Sequence, residues 1–319
     1  RFAATVPTRL QPVDCWKAAV RQLEDLGFSS VAMADHFTDG YAIEPMVALT
    51  AAAMCSSRLH LLTAVLGNDY RHPVLVHRMA AALDVLSEGR LELGLGAGWM
   101  VSDYEAAGIP YDPPGERVSR MEEAIHVIKG LFGPEPFSWA GKHYSICVLD
   151  GLPKPVQQPH PPLLIGGGGK RVLRLAGREA QIIGINANLR AGSSGTHSIN
   201  DFSGERIAEK IGWVKQGAEA AGRRFDDLEL YLGNWLVRVD ESPSETEPFL
   251  ERIAARVGLD PAWIEQAPGV LVGPPGRCVE KLLALRESFG FSYVHFDPGP
   301  RSMASIESVA PIVARLAGT

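Results

Sequence analysis

The sequence predicts an α/β protein of the (β/α)8 TIM-barrel class, and two observations carry that prediction. Apolar strand-like runs alternate with helix-like patterns along the whole chain, and eight such strands can be counted. Alternation of this kind is typical of a parallel sheet built from βα units. At 319 residues and 46% apolar composition, the chain can form one large core. We therefore expect residues 1–319 to form a single barrel domain.

The predicted strands are short and mostly apolar, and each is followed by turn residues or by a helical pattern. They are Phe2–Val6, Ser30–Ala34, Leu59–Leu66, Leu91–Leu95, Leu163–Gly166, Ile182–Ile185, Leu228–Val239 and Ser292–Phe296. A doubly wound open sheet is the alternative, but it usually has fewer strands and a phosphate-binding glycine motif after the first one. The residues that follow the first strand here, Thr8–Pro12, contain no glycine.

The predicted helices place apolar residues at helical spacing between these strands. In the first helix, Asp14 can cap the start and Gly27 can end the helix in a left-handed conformation. Another helix is expected to begin at Pro45, because proline favours the first helical position. The others are predicted at Pro73–Leu86, Arg117–Leu131, Lys170–Ala176, Glu205–Ala221, Glu247–Val257, Gly276–Ser288 and Ile306–Leu316.

Two longer segments interrupt the alternation. Residues 133–162, before strand five, contain seven prolines and a strand-like patch, so a hairpin and an extended return are expected there. Residues 186–204, after strand six, are rich in Ser, Gly and Asn, and long loops in compact domains are usually functional or mobile. Because barrel active sites lie where the strands end, only the second segment is expected to form a mobile lid.

Composition excludes several classes of function. A net charge of -6 and the lack of a basic cluster argue against nucleic acid as a partner, and no apolar run is long enough to span a bilayer. The four cysteines lie far apart, which argues against a zinc cluster or a redox dithiol and favours the cytoplasm. No metal site is predicted.

The segment Leu91–Trp99 combines a buried strand with three glycines, Gly94, Gly96 and Gly98. Glycine weakens a strand, so its repeated use indicates either a tight barrel corner or the close approach of a ligand, and we favour the ligand. A dinucleotide motif is a poorer explanation, because Trp99 stands where G-x-G-x-x-G requires its last glycine and no clear helix is expected to follow.

Strand five ends in four glycines, Gly166–Gly169, followed by Lys170 and Arg171 at the start of a helix. Free backbone amides at a helix N-terminus favour a phosphate group. The segment is not a P-loop, because Leu164 stands at the first glycine position of that motif. A flexible hinge is the alternative, and it explains the four glycines less well.

Strand two ends in Asp35 and His36, an adjacent acid and imidazole that can exchange protons near neutral pH. A helix cap or a structural hydrogen bond is the alternative. After strand three, Arg71 could meet an anion, whereas His77 falls inside a helix and is expected to be structural.

Other catalytic arrangements are missing from the sequence. None of the eight lysines ends a barrel strand, which disfavours Schiff-base chemistry. The sequence has no G-x-S-x-G or H-E-x-x-H motif, so neither a serine hydrolase nor a metal hydrolase is indicated. We therefore expect a cofactor to supply the reactivity.

Four segments together resemble one known family, the bacterial luciferase-like flavin and deazaflavin oxidoreductases. They are DYRHPVLVHRMAAALDVLSEGRLELGLGAGW, YEAAGIPYDPPGERVSRMEEAIHVIKGLF, PKPVQQPHPPLLIGGGG and RVLRLAGREAQIIGIN. The resemblance is strongest to the branch that uses coenzyme F420. It implies a TIM barrel, commonly a homodimer, with the cofactor and a small-molecule substrate bound at the strand ends.

The resemblance also implies roles for individual residues. Asp35 would anchor the cofactor ring region and His36 would handle a proton. A cis peptide is implied at Ala64–Val65, with Asn68 nearby in the cofactor site. The cofactor phosphate would lie against two glycine-rich strand ends, which contribute Gly96, Ala97, Gly98, Gly167, Gly168, Gly169 and Lys170. Trp99 stands where the sugar-phosphate dehydrogenase branch has glutamate, so an apolar or aromatic substrate beside Trp99 is expected rather than glucose 6-phosphate.

Three functions follow from this resemblance. The first is hydride transfer between F420 and an organic substrate, without consumption of oxygen, because a ring carbon of F420 replaces the flavin nitrogen that supports oxygen activation. The second is an FMN-dependent monooxygenase with the same barrel. The third is a non-enzymatic member, either one that binds a cofactor without turnover or a degenerate one. The excess of Arg over Lys, 23 against 8, indicates a GC-rich genome and slightly favours F420.

Overall fold

Eight parallel strands close into a barrel, as the sequence predicts. In the computed structural model, which describes residues 1–6, 12–38, 41–189, 192, 196–240, 243–297 and 304–319, each barrel strand pairs with two parallel neighbours. The last strand pairs with the first, with Phe2 opposite Val294, and Leu61 opposite Leu91 completes the ring.

The strands of the described residues are numbered in chain order. They are β1 Phe2–Thr5, β2 Ser30–Met33, β3 His60–Thr63, β4 Leu66–Gly67, β5 Leu91–Gly96, β6 Phe137–Ala140, β7 Ser145–Leu149, β8 Leu163–Gly167, β9 Ile182–Ile185, β10 Glu229–Asn234, β11 Leu236–Val239, β12 Val270–Gly273 and β13 Phe291–Phe296. The barrel consists of β1, β2, β3, β5, β8, β9, β10 and β13.

The helices surround this barrel and connect its strands. They are α1 Val13–Asp25, α2 Pro45–Cys55, α3 Pro73–Leu86, α4 Val101–Ala107, α5 Pro114–Phe132, α6 Lys170–Glu179, α7 Thr196–Asn200, α8 Gly204–Ala220, α9 Pro243–Val257, α10 Pro261–Gln266, α11 Pro275–Phe289 and α12 Ala304–Leu316. Three-residue 3-10 turns lie at Asn68–Tyr70 and Phe225–Asp227.

The core has two layers, because a parallel barrel buries both faces of each strand. Inside the barrel, seven side chains from different strands form one cluster: Ala3, Ala32, Leu62, Leu164, Ile182, Tyr231 and Tyr293. A larger cluster fills the space between the strands and the helices. The continuous apolar runs that predicted the strands are therefore explained by burial on two sides.

Two predicted strands are wrong in extent. The predicted strand Leu59–Leu66 is two strands, β3 and β4, separated by the cis peptide Ala64–Val65 that the resemblance implied. The predicted strand Leu228–Val239 is also two strands. After Trp235 the chain leaves the barrel as β11 and pairs in parallel with β12, a strand that was not predicted.

The pair β11–β12 is covered by α9 and α10, which form a small apolar core of their own with it. Helix α4 was also not predicted, and it begins two residues after Trp99. The expectation that no clear helix follows Trp99 was wrong, because α4 is only seven residues long, about two turns, and is too short to show a repeated apolar pattern.

The two interrupting segments lie where they were predicted. Residues 133–162 contain the antiparallel hairpin β6–β7. Residues 186–204 contain α7, and residues 190, 191 and 193–195 of this expected lid lie outside the described residues. Across the part of the chain that the structure describes, no helix is long and apolar enough to cross a membrane.

Candidate functional site

A cavity of about 730 Å³ opens at the carboxyl ends of the barrel strands. Its volume is typical of sites that bind cofactors and other small molecules. It brings together nearly all the predicted site residues: Asp35, His36, Ala64, Val65, Gly96, Ala97, Gly98, Trp99, Gly167, Gly168, Gly169 and Lys170. The strand-end rule therefore located the cavity correctly.

Asn68 is the predicted cofactor residue that does not line this cavity. Its side chain is buried, and its amide nitrogen lies 3.4 Å from Asp69 Oδ1. The cis peptide turns the chain after β3, and Asn68 then enters a 3-10 turn that points it away from the cavity. The neighbouring Gly67 and Tyr70 line the cavity instead.

His36 is held by a buried carboxylate. Its Nδ1 lies 2.6 Å from Oδ2 of Asp103, a fully buried residue of α4. The other oxygen of Asp103 accepts hydrogen bonds from the amides of Phe37 and Thr38 and from the Thr38 hydroxyl, at 2.7–3.0 Å. Although burial alone would raise the pKa of Asp103, the hydrogen bonds from His36 and Thr38 lower it below its ordinary value.

Two aromatic rings enclose the His36 imidazole. The Tyr41 ring lies 4.9 Å away, and the Trp99 ring stands edge-on at 5.7 Å between centroids. Since Asp103 occupies Nδ1, the Nε2 edge is the part of the ring left for exchange with a bound molecule. The arrangement can hold or move one proton at a fixed position beside Trp99.

Asp35 is fixed by Arg71. The guanidinium contacts both carboxylate oxygens, at 2.5 and 3.0 Å, and the Gly67 amide donates to Oδ2 at 2.9 Å. Arg71 also pairs with Glu44 at 2.7 Å. The anions that Arg71 meets are therefore carboxylates of this chain. They raise its pKa against the effect of burial.

The glycines of β5 are needed mainly by the protein itself. A Cβ on Gly94 would lie 1.9 Å from the Thr63 carbonyl oxygen, and a Cβ on Gly96 would lie 2.7 Å from Val65. Gly98 has a positive φ of 72° and abuts the Tyr104 hydroxyl. The ligand interpretation was thus wrong for Gly94, which makes room for backbone, whereas Gly96 and Gly98 also line the cavity.

The glycine run after β8 forms the opposite wall. A Cβ on Gly168 would lie 2.3 Å from the Ala187 carbonyl group, so the loop after β9 packs directly on this backbone. At Gly169, the N-cap of α6, no atom lies within 4 Å of such a Cβ. The N-terminus of α6 therefore borders the cavity, and the free amides of a first helical turn favour a phosphate group.

The loop after β9 is tied down by one buried lysine. Lys210 of α8 donates to the carbonyl oxygens of Asn186 and Asp201 at 2.8 and 2.7 Å, and it forms a salt bridge with the Asp201 carboxylate. Asp201 also accepts from the Asn188 amide. These contacts hold both described ends of the expected lid against the barrel, and residues 186–189 line the cavity.

Sequence reasoning missed the polar residues that line the cavity at the end formed by β10 and β13. Both ring nitrogens of His295 are hydrogen-bonded: Nε2 to the Thr5 hydroxyl at 2.8 Å, and Nδ1 to the Tyr231 hydroxyl. Asn234 is buried and lines the cavity, and neither of its side-chain polar atoms has a hydrogen-bond partner among the described residues. An unpartnered buried amide costs free energy, so Asn234 indicates a polar ligand atom at this end.

Two sequence signals could have found these residues. Asn234 ends β10, and it was hidden because β10 and β11 were predicted as one strand. His295 lies near the end of the last predicted strand and was passed over because it is surrounded by apolar residues. Asp103 offered no such signal, since its role depends on a helix that was not predicted.

Comparison with known proteins gives a family and several relatives. The sequence profile of the luciferase-like monooxygenases matches residues 2–257. An F420-dependent glucose-6-phosphate dehydrogenase from Kineococcus radiotolerans is 33% identical over 166 residues, covering 49% of this chain and 48% of that protein. An FMNH(2)-dependent dimethylsulfone monooxygenase from Pseudomonas putida is 28% identical over 169 residues, covering 52% and 46%. The matched segments thus span about half the length of these relatives.

A solved structure shows the same fold over the whole chain. The coenzyme F420 dependent tetrahydromethanopterin reductase from Methanopyrus kandleri superposes with a TM-score of 0.77 over 99% of each chain, at 21% sequence identity. At this identity the likeness concerns the barrel alone. Because the family profile covers most of the chain, the chain belongs to the luciferase-like monooxygenase family.

Proposed function

We propose that the protein is an F420-dependent oxidoreductase that transfers a hydride between the deazaflavin and an organic, apolar or aromatic substrate. The observation that carries this proposal is one cavity with a glycine-lined helix N-terminus on one side and His36, held by Asp103, on the other. These are the two requirements of a phosphate-bearing redox cofactor: a place for its phosphate and a proton-handling group beside its ring.

The residues fit such a cofactor. The α6 amides with Lys170 would hold the phosphate, and the apolar surface of Ala64, Val65 and Leu164 would lie against the ring. The unpartnered amide of Asn234 would hydrogen-bond a polar edge of the bound molecules. When bound, F420 would supply a ring carbon that gives or accepts the hydride.

The chain itself would orient the reactants and handle the proton. Arg71 keeps Asp35 in one orientation at the end of β2, and Asp103 does the same for His36. The loop after β9 and Trp99 would exclude water from the space above the ring. His36 would give a proton to the substrate oxygen on reduction, or take one on oxidation.

The substrate is proposed to be apolar or aromatic because Trp99 lines the cavity beside His36. A polar sugar phosphate would need a charged or hydrogen-bonding partner at this position. The relatives include glucose-6-phosphate dehydrogenases, and we propose that this chain differs from them in substrate.

An FMN-dependent monooxygenase is the second candidate, because one relative is named as FMNH(2)-dependent and the family is named for monooxygenases. Calorimetric titration of the purified protein with F420 and with FMN would separate the candidates. We expect micromolar binding of F420. FMN binding without F420 binding, together with substrate-dependent oxygen uptake, would establish the second candidate. Binding of neither would favour a member that has lost its cofactor.

A homodimer belongs to the same proposal. Neighbouring helices α2 and α3 expose several large apolar side chains, among them Val47 and Met54 of α2 and Leu75 and Leu86 of α3. Contiguous apolar side chains on a protein surface are typical of interaction sites. We propose that a second copy of the chain covers this face.

A further inference from the structure

Helix α6 presents four cations on one side. They are Lys170, Arg171, Arg174 and Arg178, at positions i, i+1, i+4 and i+8. At about 100° per residue, these positions fall within one quarter to one third of the helix circumference. The four side chains border a groove of about 460 Å³ between α5, α6 and α8.

The groove is only partly neutralised. Its lining contains one acid, Glu122 of α5, which pairs with Arg178 and lies 3.4 Å from Arg171. Arg178 also pairs with Glu179, the next residue of α6, at 2.9 Å. Lys170 and Arg174 form no salt bridge with any described residue, and both are exposed. The four cations therefore have two acidic partners, and Lys170 and Arg174 are the two left without one among the described residues.

The floor of the groove is made of small residues. Gly217 and Ala220 of α8 face α6, and a Cβ on Gly217 would lie 2.1 Å from the Arg174 carbonyl oxygen. The close approach of the two helices depends on this glycine. The small side chains leave a shallow channel in which an extended chain can lie beneath the cations.

The groove continues directly from the cofactor cavity. Lys170 and Arg171 belong to the walls of both, and Gly169 joins the cavity to the first turn of α6. A molecule whose phosphate lies at the α6 amides would have its next groups at the entrance to this groove. A flexible chain of negative charges is the chemistry that the groove would take.

We propose that Lys170, Arg174 and Arg178 bind the acidic γ-glutamyl tail of F420, an inference that rests on the proposed function. The tail follows the cofactor phosphate and carries one carboxylate per glutamate, whereas FMN ends at its phosphate. The groove thus gives the chain a means of preferring the deazaflavin. Arg171 is held on the α5 side by Gly115, Ser119 and Glu122. Arg178 also has acidic partners, so the positive charge that the tail would meet lies mainly on Lys170 and Arg174.

The experiment compares cofactor forms on wild type and on the variant Arg174→Gln with Arg178→Gln. The ligands are F420 with a tail of several glutamates, F420 without glutamates, and FMN, each titrated by calorimetry. We expect wild type to bind the long-tailed form more tightly than the tail-less form. Because exposed ion pairs are individually weak, the double variant should lose about fivefold in affinity for the long-tailed form. Its affinity for tail-less F420 should be unchanged.

A matched control removes the same two charges on the opposite side of the barrel. Arg21 of α1 and Arg315 of α12 are exposed, so Arg21→Gln with Arg315→Gln should keep the preference for the long tail. Equal affinity of wild type for the long-tailed and tail-less forms would overturn the inference while leaving F420 as the cofactor. Equal loss in the control variant would also overturn it. Failure of wild type to bind either form of F420 would instead contradict the proposed function, and the tail site with it.

Discussion

Asp103 does not line the cavity, yet it fixes the position of His36, which does. It lies behind His36, and three donors from residues 37 and 38 keep its carboxylate in place. A carboxylate on Nδ1 selects the tautomer and the ring orientation of an imidazole. We therefore assign Asp103 as a positioning residue for His36.

Replacement of Asp103 by asparagine should lower kcat by about 10- to 100-fold, because proton transfer by a positioned histidine contributes at least about that much. The fit of the cofactor should be retained, so its Kd should change less than about twofold. The measurements are steady-state turnover of a substrate found for wild type and calorimetric binding of the cofactor.

The matched comparison is the same replacement in a His36→Ala background. If Asp103 acts through His36, the second substitution should cost almost nothing there, since coupled residues are not additive. An undiminished loss in that background would show that Asp103 acts on folding or on another group. Partial recovery of turnover with Asp103→Glu would support the positioning role further.

The sequence predicted some of these residues and not others. Asp35 and His36 could be placed because they follow a clear strand, and such positions lie on the active rim of a barrel. Asp103 could not, because its contact with His36 joins residues 67 positions apart. The glycines of β5 were recognised as a close approach, but the sequence could not say that Gly94 faces the Thr63 carbonyl rather than a ligand.

At the scale of elements, the predicted strands and helices were correct where one period continued without interruption. They failed where the chain changes direction inside an apolar run. The cis peptide Ala64–Val65 divides β3 from β4, and Trp235 divides β10 from β11, yet both flanks stay apolar. Hydrophobic periodicity records burial and not direction, so it cannot separate these strands.

Helix α3 leads to a prediction about pH. His77 is buried in this helix beside Phe132, and burial together with nearby Lys154 lowers its pKa to about 4. In the unfolded chain an imidazole has a pKa of about 6.5. Between these two pH values the unfolded chain binds a proton that the folded chain does not. The free energy of unfolding should therefore fall as pH drops from about 6.5 to about 4.

Replacement of His77 by leucine should remove this contribution, up to about 3 kcal/mol over that interval at 1.36 kcal/mol per pKa unit. The variant should keep its packing against Phe132 and should lose less stability than wild type when acidified. Urea unfolding at several pH values, followed by tryptophan fluorescence, measures the difference. Parallel pH dependence in the two proteins would show that His77 is charged in the folded state or is not buried.

At the scale of the whole molecule, the barrel was predictable because eight βα repeats leave few other topologies. The segments 133–162 and 186–204 were placed at the correct ends of the barrel for the same reason, because the first precedes a barrel strand and the second follows one. The extra pair β11–β12 with its own core was not predictable, since nothing in its short strands distinguishes them from barrel strands. The assignment of residues 1–319 to one domain stays a prediction.

The exposed face of α2 and α3 leads to a prediction about assembly. Val47 and Met54 are 65% and 72% exposed, although α2 is apolar on nearly every side. A helix of this composition is expected to be covered on all faces, and in the described chain only one of its sides packs on the barrel. Burial of these side chains by a second copy would remove apolar surface from water at about 25 cal/mol per Å².

Two charges on this face should therefore dissociate the dimer. We expect wild type to sediment as a dimer at micromolar concentration and the variant Val47→Asp with Met54→Asp to sediment as a monomer with an unchanged circular dichroism spectrum. Ala255→Asp with Ala314→Asp adds the same charge on exposed positions of α9 and α12 and should remain a dimer. A variant that stays dimeric would place the interface elsewhere. A monomeric wild type would overturn the proposed homodimer. Since α3 begins two residues after Arg71, which fixes Asp35, loss of the dimer should also weaken cofactor binding if the second copy supports this helix.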